Sequence, residues 1–95
     1  MRFEWDEKKN RTNRRDHGVY FDIAEEVFCD PFCLTIRDRT VDGEERFWTI
    51  GRLENLALLV VVHATFQEDG QEVTRIISAR KATRRERKFY EEIDH

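Results

Sequence analysis

The stretch Ala57-Leu58-Leu59-Val60-Val61-Val62-His63-Ala64-Thr65-Phe66 restricts the fold more than any other part of the chain. Its uninterrupted apolar part, Ala57 to Val62, is six residues long, far short of the about 20 that a membrane-spanning helix needs. Its β-branched content instead predicts a central strand. Alternation places Leu58, Val60, Val62, Ala64 and Phe66 on one face and Leu59, Val61, His63 and Thr65 on the other. The first face reads as the better core. The second is apolar at one end and polar at the other, which puts His63 where the sheet opens to solvent or substrate.

A strand of this kind needs neighbours, and the sequence supplies them. Leu34 and Ile36 alternate with Thr35 and Arg37, Asp42-Gly43 has the chemistry of a hairpin turn, and Arg46 to Ile50 resumes as a strand. Glu68-Asp69-Gly70 is a second turn, followed by a last strand from Val73 to Ala79. Within 46–52, Phe47, Thr49 and Gly51 alternate with Trp48, Ile50 and Arg52, and either set suits the core.

Helices flank this sheet region. Phe3-Glu4-Trp5 alternates as a short strand, and Asp6 then occupies an N-cap position before a polar helix that should stop at His17-Gly18. Phe21, Ala24, Val27 and Phe28 recur at helical spacing and predict a second helix over 21–28, closed by Pro31. Thr83-Arg84-Arg85-Glu86 matches a capping box at the start of a final helix over 84–92. The order β-α-α-β-β-β-β-α, with hairpin-length turns between the later strands, defines an α+β domain with a mostly antiparallel sheet. At 95 residues the chain has room for one core, so a single domain over 1–95 is expected.

Apolar and charged residues each make up 39%, so the core is thin. The N-terminal residues lack the apolar segment of a signal peptide, and a soluble, cytoplasmic protein is expected. Cys29 and Cys33 read as a reduced pair, too few for a structural zinc site. No P-loop, G-x-G-x-x-G, H-E-x-x-H or G-x-S-x-G motif is present, which argues against Walker-type nucleotide hydrolysis, dinucleotide chemistry, zinc proteolysis and the common serine hydrolases.

The net charge of −3 conceals a division along the chain. Arg80, Lys81, Arg84, Arg85, Arg87 and Lys88 stand against Glu86 alone, and Lys8, Lys9, Arg11, Arg14 and Arg15 stand against no acid. Residues 18–79 hold five basic and twelve acidic side chains. Basic ends suit either solvated helix faces or a phosphate-facing surface. Arg52, Arg75 and Arg80, near strand ends, suit either a phosphate or ion pairing with Glu44, Glu45 and Glu72. His63 suits proton transfer or, more commonly for a lone strand histidine, structural hydrogen bonding. RNA supplies its own 2′-hydroxyl nucleophile, so such side chains suffice for metal-free phosphodiester chemistry.

The segments Trp5-Asp6-Glu7-Lys8-Lys9-Asn10-Arg11-Thr12-Asn13, His17-Gly18-Val19, Phe21 and Ala24-Glu25-Glu26-Val27-Phe28 resemble the N-terminal half of BrnT-type toxins. Asp42 to Phe47, Ile50-Gly51-Arg52, Leu59 to His63 and, most specifically, Arg75 to Arg87 extend the resemblance in order over nearly the whole chain. It implies a RelE-like fold and a ribonuclease toxin of a type II toxin-antitoxin pair that inhibits translation. The implied partner is a BrnA-type antitoxin with a ribbon-helix-helix domain. Their complex represses its own operon, so operator DNA is reached only through the antitoxin, and a toxin homodimer within a heterotetramer fits that scheme.

In that setting Arg52 and Arg80 are expected to grip the scissile phosphate, and His63 to transfer a proton. Glu44 or Glu45 takes the 2′-hydroxyl proton, and Tyr90 stacks on a base or donates a proton. Lys9, Arg75, Lys81, Arg84, Arg85, Arg87 and Lys88 contact the rest of the RNA, with no metal or other cofactor. Lys9, Asn13 and His17 share a helical face, either as a second polar patch or, for Asn13 and His17, as an anchor against the sheet. An exposed sheet edge or apolar groove, with Trp48 and Phe32 as candidates, is expected to receive the antitoxin. Two other readings compete: a toxin of this fold that binds a protein such as DNA gyrase, and a non-catalytic corepressor.

Overall fold

A computed structural model describes residues 1–93 of the chain. In chain order the elements are β1 (Arg2–Glu4), α1 (Glu7–His17), α2 (Phe21–Ala24), a 3₁₀ turn (Glu25–Cys29), β2 (Leu34–Val41), β3 (Glu44–Arg52), β4 (Leu58–Glu68), β5 (Gln71–Lys81) and α3 (Arg84–Glu92). The strands form one sheet in the order β1-β5-β4-β3-β2, with β4 at its centre. The β2–β3, β3–β4 and β4–β5 pairs are antiparallel, whereas β1 runs parallel to β5. Both hairpin turns place an aspartate and a glycine in the left-handed region, Asp42 and Gly43 at φ 51° and 78°, and Asp69 and Gly70 at 51° and 75°. Two successive left-handed residues match the twist of the flanking strands.

Local capping fixes the helix ends. The Asp6 carboxylate accepts from the Lys8 and Lys9 amides at 2.8 and 3.3 Å, and the Gly18 amide, at φ 75°, donates to the Arg14 carbonyl at 2.9 Å. The single helix predicted over 21–28 is instead the four-residue α2 continued by the 3₁₀ turn. The tighter turn seats Val27 against β3 at Gly51, where a Cβ would lie 2.8 Å from both Val27 Cγ1 and the Val27 carbonyl. Only glycine fits there.

The core lies mainly on the face opposite to the one the sequence favoured. Leu59, Val61, Ile76 and Ala79 of the sheet pack with Val19, Phe21, Ala24 and Val27 in the larger cluster. On the other face Leu58, Val60 and Ile50 pack with Tyr90 in a smaller one. Both faces of β4 are apolar, so alternation alone could not rank them. The ranking follows from the helices: α1, α2 and the 3₁₀ turn cover the first face, while α3 covers part of the second. The ambiguity at 46–52 resolves likewise. Trp48, Ile50 and Arg52 pair with Val62, Val60 and Leu58 and share the α3 face.

Two β-bulges interrupt the ladders. In β2, Arg37 pairs with Phe47 and Arg39 with Arg46, leaving Asp38 as the extra residue. In β5, Ile76 pairs with His63 and Ser78 with Val62, leaving Ile77 extra. Each bulge reverses the inside-outside alternation beyond it.

Candidate nucleic-acid interface

The two bulges act on the same rung. Arg39 pairs with Arg46, Arg46 with Ala64, Ala64 with Arg75 and Arg75 with Glu4, so three arginines stand in one cross-strand row on the α3 face. Without the bulge at Asp38, Arg39 would share a face with Arg37. Without the bulge at Ile77, Arg75 would share one with Ala79. No helical residue belongs to either apolar cluster at this rung. Ala64 is nevertheless fully buried, because long arginine stems cover the small residue between them.

Three carboxylates serve this row, the first being Asp38, whose Oδ2 lies 3.9 Å from Arg39 Nε. Glu44 Oε2 lies 2.9 Å from Arg75 Nη1, and Glu44 Oε1 lies 3.8 Å from Arg46 Nε. Arg75 Nε also donates to Glu4 at 3.1 Å, and its guanidinium lies 4.9 Å from the Phe66 ring centroid. Arg46 Nε is buried with no hydrogen-bond acceptor. An unsatisfied buried guanidinium N–H is costly.

At the opposite end of the face, Arg80 Nη1 and Nη2 donate to the two Glu86 carboxylate oxygens at 2.7 and 2.9 Å. That fork holds the Glu86 carboxyl at about 2, with the Thr83 amide helping. Glu86 thus closes the capping box of α3 and neutralises Arg80 together. Arg84, Arg85, Arg87 and Lys88 project from α3 and are exposed.

Arg52 and Arg80, expected to grip one phosphate, are each paired with a carboxylate of their own, Glu91 and Glu86. Both point to the α3 face, but the cluster around Tyr90 lies there too. Arg52 stacks 5.4 Å from the Tyr90 ring centroid and lies 3.7 Å from Glu91. Tyr90, 4% exposed, donates its hydroxyl proton to Asp30 at 2.6 Å. Burial pushes the Tyr90 hydroxyl above its usual range, and the bond to Asp30 adds to this. Asp30 also accepts from the Arg52 amide at 2.8 Å. This constellation pins α3 to the loop before β2, with the Tyr90 ring buried between them.

His63 is likewise displaced from its expected role. It is 3% exposed on the helix-covered face, between Phe28 and Phe47, with Thr49 Oγ1 at 2.8 Å from Nε2 and Thr65 Oγ1 at 3.3 Å from Nδ1. Burial lowers its pKa to about 4. At neutral pH the imidazole is therefore uncharged, and it is enclosed instead of lying at an open end of the sheet.

The remaining basic residues divide between the two faces. Lys81 pairs with Leu59 and so faces away from Arg80. Lys9 lies on α1 in a cleft of about 490 Å³ with Thr12, His17 and Ser78. Glu45, exposed, lies 3.6 Å from Arg37 and faces away from Glu44. Asn13 is buried as an anchor, but His17 is exposed and anchors nothing. The residues missed by the sequence reading are Arg39 and Arg46. Their only signal was arginine within strands, and recognising the row requires the register.

A five-stranded, mostly antiparallel sheet with helices on both faces and an arginine row beyond α3 defines a small α+β protein. Residues 5–86 match the family described as the ribonuclease toxin BrnT of type II toxin-antitoxin systems, and the chain belongs to that family. The crystal structure of the Brucella abortus ribonuclease toxin BrnT, at 1.1 Å resolution, superposes with a TM-score of 0.61 at 27% identity, covering 88% of this chain and 99% of that one. Comparison with curated proteins gives no match. Family membership implies an antitoxin partner. Among the described residues no helix is long and apolar enough to cross a membrane.

Proposed function

We propose that the chain cleaves RNA without a metal ion, on the sheet face that carries Arg39, Arg46 and Arg75. The observation that carries this reading is that both bulges turn an arginine onto the face of Arg46, where Glu44 stands between Arg46 and Arg75. Bulges re-aim side chains at functional sites in many sheets.

Glu44, rather than Glu45, takes the proton from the ribose 2′-hydroxyl, since of these two it is the one that faces the arginine row and it stands between Arg46 and Arg75. The 2′-oxygen attacks the neighbouring phosphorus, forming a cyclic 2′,3′-phosphate as the bond to the 5′-oxygen breaks, and that oxygen takes its proton from water. Arg46 and Arg75 stabilise the charge that accumulates on the non-bridging oxygens, and fixed donors of this kind are worth about 10²–10³ in rate each. Arg39 and the α3 residues Arg84, Arg85, Arg87 and Lys88 hold flanking phosphates. Arg80 stays committed to Glu86, and Arg52 to Tyr90.

In this reading cleavage lowers translation, the fold is RelE-like, and a ribbon-helix-helix antitoxin neutralises the toxin and represses the operon with it. Induced expression of wild type, Arg75→Ala and Glu44→Gln, with growth and RNA integrity followed, tests the proposal. Growth arrest with fragmented RNA, lost in both variants, is the expected result. Arrest with intact RNA would replace the ribonuclease reading by binding to a protein target such as DNA gyrase. Unimpaired growth of the wild type would leave the corepressor role.

A further inference from the structure

We infer that the groove between α3 and the β2–β3 edge receives an acidic amphipathic segment of the antitoxin. Ile36, Trp48 and Phe89 line this groove, which measures about 350 Å³ and is walled almost entirely by apolar atoms. The Trp48 and Phe89 rings meet edge to face, with centroids 6.5 Å apart, and Phe89 remains 39% exposed. An exposed phenylalanine set against a half-buried tryptophan in an apolar groove suits an anchor side chain from a partner.

Charge selects the occupant. Arg85 and Glu86 form the rim, and Arg84, Arg87 and Lys88 stand on the same helix. Glu86 is neutralised by Arg80, while Arg84, Arg85 and Arg87 have no acidic partner among the described residues. The rim is therefore net positive above an apolar floor. A segment with apolar anchors flanked by carboxylates complements both. RNA would satisfy the rim but leave the floor empty, and a second copy of this chain would bring the same positive rim against itself.

Position supplies the inhibitory consequence. Ile36, Trp48, Val62 and Ser78 form the rung between the base of α3 and the arginine row. A chain seated in the groove lies one rung from Arg39 and Arg46, the β2–β3 end of the row, so docking and substrate exclusion coincide. Docking rests on the family's antitoxin partnership, and its inhibitory effect rests on the ribonuclease reading above.

The test uses the antitoxin co-expressed from the toxin's own operon, with affinity measured by calorimetry at low and high salt, RNA cleavage assayed on the free toxin, and mass measured by analytical ultracentrifugation. Phe89→Asp should weaken antitoxin binding more than tenfold while cleavage and thermal midpoint stay near wild type, and Phe89→Leu should retain binding. Arg85→Glu should weaken binding and flatten its salt dependence. Wild-type affinity in both Phe89→Asp and Arg85→Glu would overturn the proposal, as would a Phe89→Asp variant that changes self-association alone. Should Phe89→Asp lose the antitoxin while wild type cuts no RNA, the docking site stands and the ribonuclease reading falls.

Discussion

Asn13 pairs with Ala79 as though its side chain were a neighbouring strand. Asn13 Nδ2 donates to the Ala79 carbonyl at 2.8 Å, and Asn13 Oδ1 accepts from the Ala79 amide at 3.1 Å. The same Nδ2 donates to the Val19 carbonyl at 2.9 Å. β1 pairs with β5 only at Val73 to Arg75, so the edge of β5 beyond it would otherwise bury unpaired backbone groups beneath α1. Asn13→Ala should lower unfolding free energy by about 2–4 kcal/mol. Asn13→Asp, which keeps the acceptor but loses the donors, should also destabilise. Urea unfolding measures both, and an unchanged midpoint in either would contradict the bridging role.

His63 predicts an acid response. Its folded pKa of about 4 lies below the unfolded value of 6.5, so in that interval the unfolded chain binds a proton that the folded chain refuses. The contribution is constant above pH 6.5, falls as pH drops towards 4, and levels off below. The loss is about 3 kcal/mol by linkage. Unfolding free energies of wild type and His63→Gln should converge across this window. Proton NMR should show no His63 titration near 6.5, and RNA cleavage should show no limb there that His63→Gln removes.

Glu86 predicts a second acid response with the same ordering of pKa values, set by its ion pair and not by burial. Its carboxyl titrates at about 2 when folded against 4.5 when unfolded, so its stabilising contribution is complete above 4.5 and is lost as pH falls towards 2. Glu86→Gln, which keeps an acceptor for the Thr83 amide but weakens the Arg80 fork, should cost about 1 kcal/mol. Glu86→Ala should cost more, with a matching loss of helical signal. Equal stability of Glu86→Ala and wild type would show that neither the cap nor the fork holds α3.

Metal removal and salt separate the roles on the arginine row. Cleavage by purified protein should persist in EDTA, and Arg46→Ala should lower it about 10²-fold or more. RNA affinity should fall with salt by a slope of about −0.7 per neutralised phosphate, and Arg39→Ala should flatten that slope. Abolition of cleavage by EDTA with recovery on adding Mg²⁺ would replace the metal-free scheme.

Most of the fold was legible because its signals are local. Asp6 and Gly18 bound α1, Thr83 and Glu86 begin α3, and the Asp-Gly turns set both hairpins. The better core face was not legible, since β4 alternates one apolar set with another. Nor was the site. The strand reading assumed uninterrupted alternation, whereas the extra residues Asp38 and Ile77 decide where Arg39 and Arg75 point. Nothing at either bulge is marked by glycine or proline. His63 was misplaced for a related reason: the polar end of its face is roofed by Phe28, a residue 35 positions away in the chain.

The parallel pairing of β1 with β5 gives this protein an order of assembly. β1 is made before the other strands of the sheet, yet its hydrogen-bonding partner, Val73 to Arg75, belongs to the last of them. Arg39 and Arg46 emerge on an unfinished sheet whose third arginine, Arg75, has still to be translated. A prematurely terminated chain therefore carries an incomplete arginine row and lacks α3. The α3 face of the sheet is thus completed last, first by Arg75 on β5 and then by the helix that follows it.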